Sequence, residues 1–220
     1  MLLGSEEGRP YSDDLTSAVG HAAVWIMEVL GPDLVACWTQ FRALRSRSDG
    51  GQRTADIEAD RKNWLHAWRG STLDPELPFR YAFKFRVNSG KGPSSTVCAA
   101  WPPQGGYALR ALVFLLQAAH MVVLALAAAP RDGGLAGLAR ECLDEVWDLD
   151  LLLGNTFKPS ASAQGRARRW PLPQAAVCAI KQQRALAEAM APGRPGFWMP
   201  FNAGGDGVVR SCSMIIAFIA

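Results

Sequence analysis

The sequence predicts a mainly α-helical fold with a small antiparallel β-hairpin or sheet, and three observations carry that prediction. Apolar residues recur at helical spacing in several long segments. A polar, glycine-bearing loop joins two short segments of alternating character near residue 160. Hydrophobic residues make up 49% of the chain and charged residues 20%, a balance with which 220 residues build a real core as one large or two small domains.

The first helix is predicted over residues 12–30, where Ser12 is a cap, Asp13 and Asp14 follow, and Ala18, Ala22, Val24, Ile26 and Val29 recur near one helical period. Gly31-Pro32 is expected to break it. Val35, Cys37, Trp38, Phe41 and Leu44 then support a second helix over 34–44, making a helical hairpin with the first. A third helix covers 54–68, with Ile57, Trp64, Leu65 and Trp68 apolar. Arg42, Arg45 and Arg47 on the second helix, with Arg61, Lys62, His66 and Arg69 on the third, make this bundle basic. The plain alternative for these cations is a solvated helix face.

Prolines interrupt residues 71–103 except at 79–87, where Arg80, Lys84 and Arg86 alternate with Ala82, Phe83 and Phe85 as in a strand. Gly, Pro and Ser accumulate over 88–106, the expected linker. Residues 111–129 are long and apolar enough to cross a bilayer. Gln117 and His120 in their middle, and the many alanines, instead favour a buried core helix. Pro130 closes that helix, Gly133-Gly134 opens a turn, and a short helix is expected over 135–143 with Leu135, Leu138 and Cys142 or Leu143 inward. Residues 145–153 and 166–172 flank a polar loop as an antiparallel sheet. Helix returns over 173–190, with Ala176, Val177, Ile180, Leu186 and Met190 on one side. There is no internal repeat, and the closing apolar string MIIAFIA is read as a truncation or an element lacking its partner.

A net charge of +3 and a pI of 8.7 permit a polyanionic partner without requiring one, so any nucleic-acid argument rests on local clusters. The five cysteines, Cys37, Cys98, Cys142, Cys178 and Cys212, lack the spacing of a zinc or redox motif and read as reduced thiols. No metal and no cofactor is expected. Residues 1–10 lack the layout of a signal peptide, and the expected location is the cytoplasm.

The segment MVVLALAAAPRDGGLAGLAREC, from Met121 to Cys142, followed by Leu143, resembles the first catalytic-arginine block of the tyrosine recombinases and phage-type integrases. LLLGNTFKPSASAQGRARRWPLP, from Leu151 to Pro173, resembles the hairpin that carries the family's catalytic lysine. The resemblance implies that Arg131 is the catalytic arginine and Lys158 the lysine. A guanidinium fork binds two oxygens of the phosphorane-like state, and a lysine at a hairpin tip acts as general acid toward the leaving 5′-oxygen. It also implies double-stranded DNA as partner, further recombinase protomers as assembly partners, and phosphate contacts from Arg42, Arg45, Arg61, Lys62, Arg166, Arg168 and Arg169.

The sequence departs from the family pattern in two places. Gly134 stands where members commonly carry a glutamate. The histidine-x-x-arginine box and the nucleophilic tyrosine have no counterpart: the tyrosines are Tyr11, Tyr81 and Tyr107 and the histidines His21, His66 and His120, all ahead of Arg131. A covalent phosphotyrosine step has no nucleophile in the family position. The expected organisation is a tail at 1–11, a helical DNA-clasping domain at 12–100 with a linker near 88–106, and a partial catalytic domain at 107–220. The expected function is DNA binding related to integration and recombination, by a chain that is inactive alone. Two alternatives stand beside it: a helical interaction module that buries Trp38, Trp64, Trp68 and residues 214–220 against a partner, and a protein anchored in a membrane through 111–129.

Overall fold

In a computed structural model the described residues are 12–46, 54–68, 83–87, 95–99, 103, 105–128, 132–146, 149–156 and 166–199. The fold is mainly helical with a small antiparallel sheet, as expected. Helix α1, Asp13–Trp25, starts where the sequence places it. Ser12 is extended and its hydroxyl accepts the Leu15 amide at 3.3 Å, which satisfies one of the donors that a helix start leaves unpaired.

Gly31-Pro32 does not break the chain into a hairpin. α1 runs through one π turn, Ile26–Leu30, directly into α2, Gly31–Ser46. A proline inside a helix lacks one N–H donor and crowds the carbonyl four residues back. The wider π turn just ahead of it loosens that crowding, and the Gly31 amide donates to Ile26, five residues back. Burial supplies the rest of the reason: Ile26, Met27, Leu30 and Leu34 form one apolar stripe across the junction, all at most 2% exposed.

Helix α3, Thr54–Ala67, follows the expected span. Strands β1, Phe83–Val87, and β2, Ser95–Ala99, pair antiparallel from Phe83 opposite Ala99 to Val87 opposite Ser95. β2 lies inside the expected linker, whose glycine and proline content concealed it. Helix α4, Gly106–Ala128, is the centre of the molecule. It packs against α1, α2, α3 and the last helix, and most of its surface is covered. The apolar run that resembled a membrane span therefore faces the chain's own helices.

The helix expected over 135–143 is shorter and earlier: α5 is Asp132–Ala136, and Leu143 already belongs to β3, Leu143–Val146. Three glycines within residues 133–137 weaken helix propagation. The inward residues are nevertheless the expected ones, since Leu135, Leu138 and Cys142 are all at most 5% exposed. β3 pairs with β4, Leu149–Thr156, and β4 with β5, Arg166–Pro171, in a three-stranded antiparallel sheet of order β3-β4-β5. Leu143, Leu152 and Trp170 share one face through their register. Leu152 is buried there, and Gly154 lets Trp170 and Leu138 close over the sheet, where a β-carbon would lie 3.2 Å from the indole.

Helix α6, Gln174–Met190, follows Pro173 and buries Ala176, Val177, Ala179, Ile180, Gln183, Leu186 and Ala187. Gly193, at φ 70, turns the chain after it, so that Phe197, Trp198 and Met199 return to the core. A single hydrophobic cluster contains residues of α1, α2, α4, the sheet and α6. The expected division at 88–106 thus does not separate two cores among the described residues: α2 packs on α6, and α1 on α4.

Candidate functional site

The expected site residues fall into three groups. Arg131 and Lys158, the residues matched to the catalytic arginine and lysine, lie outside the described residues. So do the side chain of Arg45, which sits on α2, and the hairpin tip at 157–165.

The second group is built into the protein body. Arg42 donates from Nη2 to the Met190 carbonyl at 2.9 Å and from Nε to Ala189 at 3.4 Å, and its guanidinium lies 5.7 Å from the Trp38 ring centre. Arg61 lies 4.0 Å from the centre of the Phe41 ring, half-buried between α3 and α2. Both were expected to hold phosphates. In the fold Arg42 neutralises the carbonyl end of α6, whose last turn has no basic residue of its own, and Arg61 closes an aromatic group made by Trp38, Phe41 and Trp64. Two of the tryptophans assigned to a partner interface in the alternative reading are thereby occupied within the chain, Trp38 at 5% exposure.

The third group is on the surface. Lys62 is exposed on α3. On β5, Arg166, Arg168 and Arg169 are all exposed, but they do not form one patch. Arg166 pairs with Thr156 and Arg168 with Gly154, on the same face as Trp170. Arg169 points to the opposite face, where it lies 3.6 Å from the Asp144 carboxylate two strands away. Alternation along a strand separates neighbours in sequence and leaves Arg166 and Arg168 about 7 Å apart on one side. β5 is also an edge strand, so this side is reachable along its length.

A residue that sequence reasoning missed organises the segment before the sheet. Arg140 is 6% exposed and places its guanidinium on the end of α6. Nη2 donates to the carbonyls of Ala187 at 2.8 Å and Ala191 at 2.7 Å, Nε to Gly196 at 3.0 Å, and Nη1 to the Glu188 carboxylate. Arg184 Nε returns a hydrogen bond of 2.9 Å to the Arg140 carbonyl, and Trp198 Nε1 donates to Leu135 at 2.7 Å. Residues 135–142, just after Arg131, are therefore bound to α6 and to the strap at 196–199. Only the planar five-donor fork of arginine reaches so many acceptors at once. Nothing in the local sequence marks Arg140, because every acceptor comes from α6 or the residues just after it, roughly 50 residues away.

A second missed cluster lies between α4 and α6. Gln117 on α4 is clasped to the strap at both amide atoms: it accepts the Met199 amide at 2.7 Å and donates to the Met199 carbonyl at 3.1 Å. Gln183 donates to Gln117 Oε1 at 2.8 Å and to the Phe197 carbonyl at 2.9 Å. His120 touches Gln183 Oε1 through Nδ1 at 3.1 Å and Gln182 Oε1 through Nε2 at 2.9 Å. Gln182 reaches on to the Met27 carbonyl in the π turn at 3.0 Å. Burial lowers the His120 pKa and the two glutamine contacts oppose that shift only in part. Gln117, His120 and Gln183 are fully buried.

Among the described cysteines, Cys37, Cys142 and Cys178 are free thiols. Burial, with Asp33 nearby, pushes Cys37 up to about 12, and burial pushes Cys142 up to about 11, so neither is a thiolate nucleophile near neutrality. Among the described residues no group of three or more His, Cys, Asp or Glu is placed to hold a metal ion.

No protein-family model, curated protein or solved structure matches the chain.

Proposed function

We propose that this chain is a DNA-binding protein of the tyrosine-recombinase kind, which grips duplex DNA but carries no nucleophile to cut it. The supporting observation is the run of elements from α4 through α5 and the three-stranded sheet to α6, with two arginines exposed on one face of the hairpin's outer strand. That order agrees with the one expected from the resemblance at Met121 to Leu143 and Leu151 to Pro173. On this reading Arg166 and Arg168 contact successive positions of a phosphate backbone, Lys62 adds a distant contact, and Arg131 and Lys158 approach the scissile phosphate. Arg42 and Arg61 have no part in it, because their guanidiniums are engaged on α6 carbonyls and the Phe41 ring.

Fluorescence anisotropy with a labelled duplex across a salt series tests the proposal. Binding is expected at low salt and declines steeply as salt rises, since each neutralised phosphate releases counterions. Absence of binding at low ionic strength rejects the reading. A covalent adduct with a nicked duplex would overturn the second half, that the chain lacks a nucleophile.

A second reading, a helical module that binds another protein, rests on exposed apolar side chains: Trp25 is 42% exposed, Leu126 52% and Leu149 58%. Self-association that ignores salt, with no affinity for DNA, favours it.

A further inference from the structure

The hydrogen bonds around His120 contain a directional chain that starts from the backbone and leaves a single ambiguous link. The Met199 amide is a donor only, so the Gln117 atom facing it is the oxygen. Gln183 meets that oxygen and the Phe197 carbonyl, two acceptors, so the atom it presents to them is its amide nitrogen. Its oxygen then faces His120 Nδ1. Two acceptors cannot share that contact, so Nδ1 carries a proton. On the other side of the ring, Nε2 faces Gln182 Oε1 while Gln182 Nε2 donates to the Met27 carbonyl. With Nδ1 already protonated, this second contact is satisfied only when Nε2 is protonated too, which makes the ring an imidazolium. In a neutral ring Nε2 is an acceptor, so it and the Met27 carbonyl compete for the one Gln182 amide nitrogen, and one of the two contacts is left unmatched whichever way the amide lies.

We propose that His120 and Gln182 form a proton-linked latch: in the neutral ring, with its proton on Nδ1, Nε2 competes with the Met27 carbonyl for the Gln182 amide nitrogen, and uptake of a proton at Nε2 ends that competition and commits the nitrogen to the Met27 carbonyl of the π turn. The latch joins α4, α6 and the π turn that absorbs Pro32. Gly31 gives the amide its space, for a β-carbon there would lie 2.9 Å from Gln182 Cδ. No charged group contributes to the His120 shift. On the packed elements Glu28 of the π turn and Lys181 of α6 are exposed, Arg184 and Glu188 are tied to Arg140, Arg42 is on the end of α6, and Asp33 of α2 acts on Cys37. The two glutamines are the ring's only polar partners in these contacts.

The sign of the pH effect follows from burial. Because the folded-state pKa lies below that of an exposed histidine, the unfolded chain takes up the proton first. Stability is complete above the unfolded value, about 6.5, and falls as pH drops toward the folded one, by at most tenfold in the folding equilibrium per pH unit.

Nitrogen-15 NMR of the histidine rings in the full chain reads the latch directly, with His120→Gln identifying the signal. At pH 7.5 the expected state is protonated Nδ1 and bare Nε2. On acidification Nε2 takes up a proton with a midpoint below 6.5, and the Gln182 side-chain amide signals shift with the same midpoint. A neutral ring protonated at Nε2, or Gln182 signals that ignore the titration, overturns the proposal. Gln182→Glu puts a carboxylate against Nε2 and is expected to raise the midpoint above that of the parent chain. An unchanged or lowered midpoint in that variant counts against the latch. Should neither variant fold, the tautomer and the coupled Gln182 shift in the parent chain still decide it.

Discussion

The carbonyl end of α6 and the outer strand of the hairpin both gather arginines, and they use them in opposite ways. At α6, Arg140 and Arg42 arrive from two different parts of the chain and direct their donors into backbone carbonyls at and just beyond the helix's last turn. On β5, the edge strand paired with β4, Arg166 and Arg168 stand exposed. The chemistry of the side chain is the same at both places. What differs is burial: a guanidinium enclosed against the protein's own carbonyls serves folding, whereas one held on the exposed face of a strand is reachable by a phosphate.

Removing Arg140 tests the first half of this contrast most severely. Arg140→Ala removes the side-chain donor shared by the Ala187, Ala191 and Gly196 carbonyls and the Glu188 carboxylate, and it is expected to cost about 3 kcal/mol in urea unfolding. Arg140→Lys should recover only a minority of that, because an ammonium cannot span the same fork. A loss below about 1 kcal/mol would mean that water replaces the arginine and that the helix end is not held by it.

Arg42→Ala is a milder version of the same change. Two carbonyl bonds and the stacking on Trp38 are lost from a half-buried site, for an expected cost of about 1 kcal/mol. Its DNA salt slope should match that of the parent chain. A shallower slope would return Arg42 to the DNA-contacting set and blur the distinction between the two regions.

The smallest effect on stability, and the most specific on binding, is expected on β5. Arg166→Gln with Arg168→Gln should change stability by less than about 0.5 kcal/mol, yet reduce the slope of log binding constant against log salt by about 2. Arg169→Gln, on the other face beside Asp144, should leave the slope nearly unchanged. Equal effects from all three would show that the face assignment does not govern binding.

Much of the local structure was legible in the residue order. Ser12 with its two following aspartates marked a helix start, and apolar spacing located α3, α4 and α6 to within a few residues. Punctuation was less reliable. Gly31-Pro32 looked like a break because each residue alone disfavours helix, but the apolar stripe continuing across it outweighed one lost hydrogen bond. Leu135 to Leu143 looked helical because its inward residues are spaced like one, whereas glycines and the pull of Arg140 on α6 drew the segment into a turn.

For the candidate site the limit was different in kind. Gln117 and His120 were visible as polar residues inside an apolar run, and Gln183 falls in phase with the buried stripe of α6. A polar residue at a core position needs a partner, so the existence of a network was readable. Its membership was not, since Gln117 and Gln183 meet only when α4 lies on α6 and the strap at 196–199 closes over both. By itself the sequence determined which segments become helix and strand and which of their faces are apolar, because those follow from neighbours three, four or two residues apart. The tertiary structure alone decided which arginines are buried against the protein's own carbonyls and which stand at the surface, because an acceptor some 50 residues away leaves no trace in local spacing.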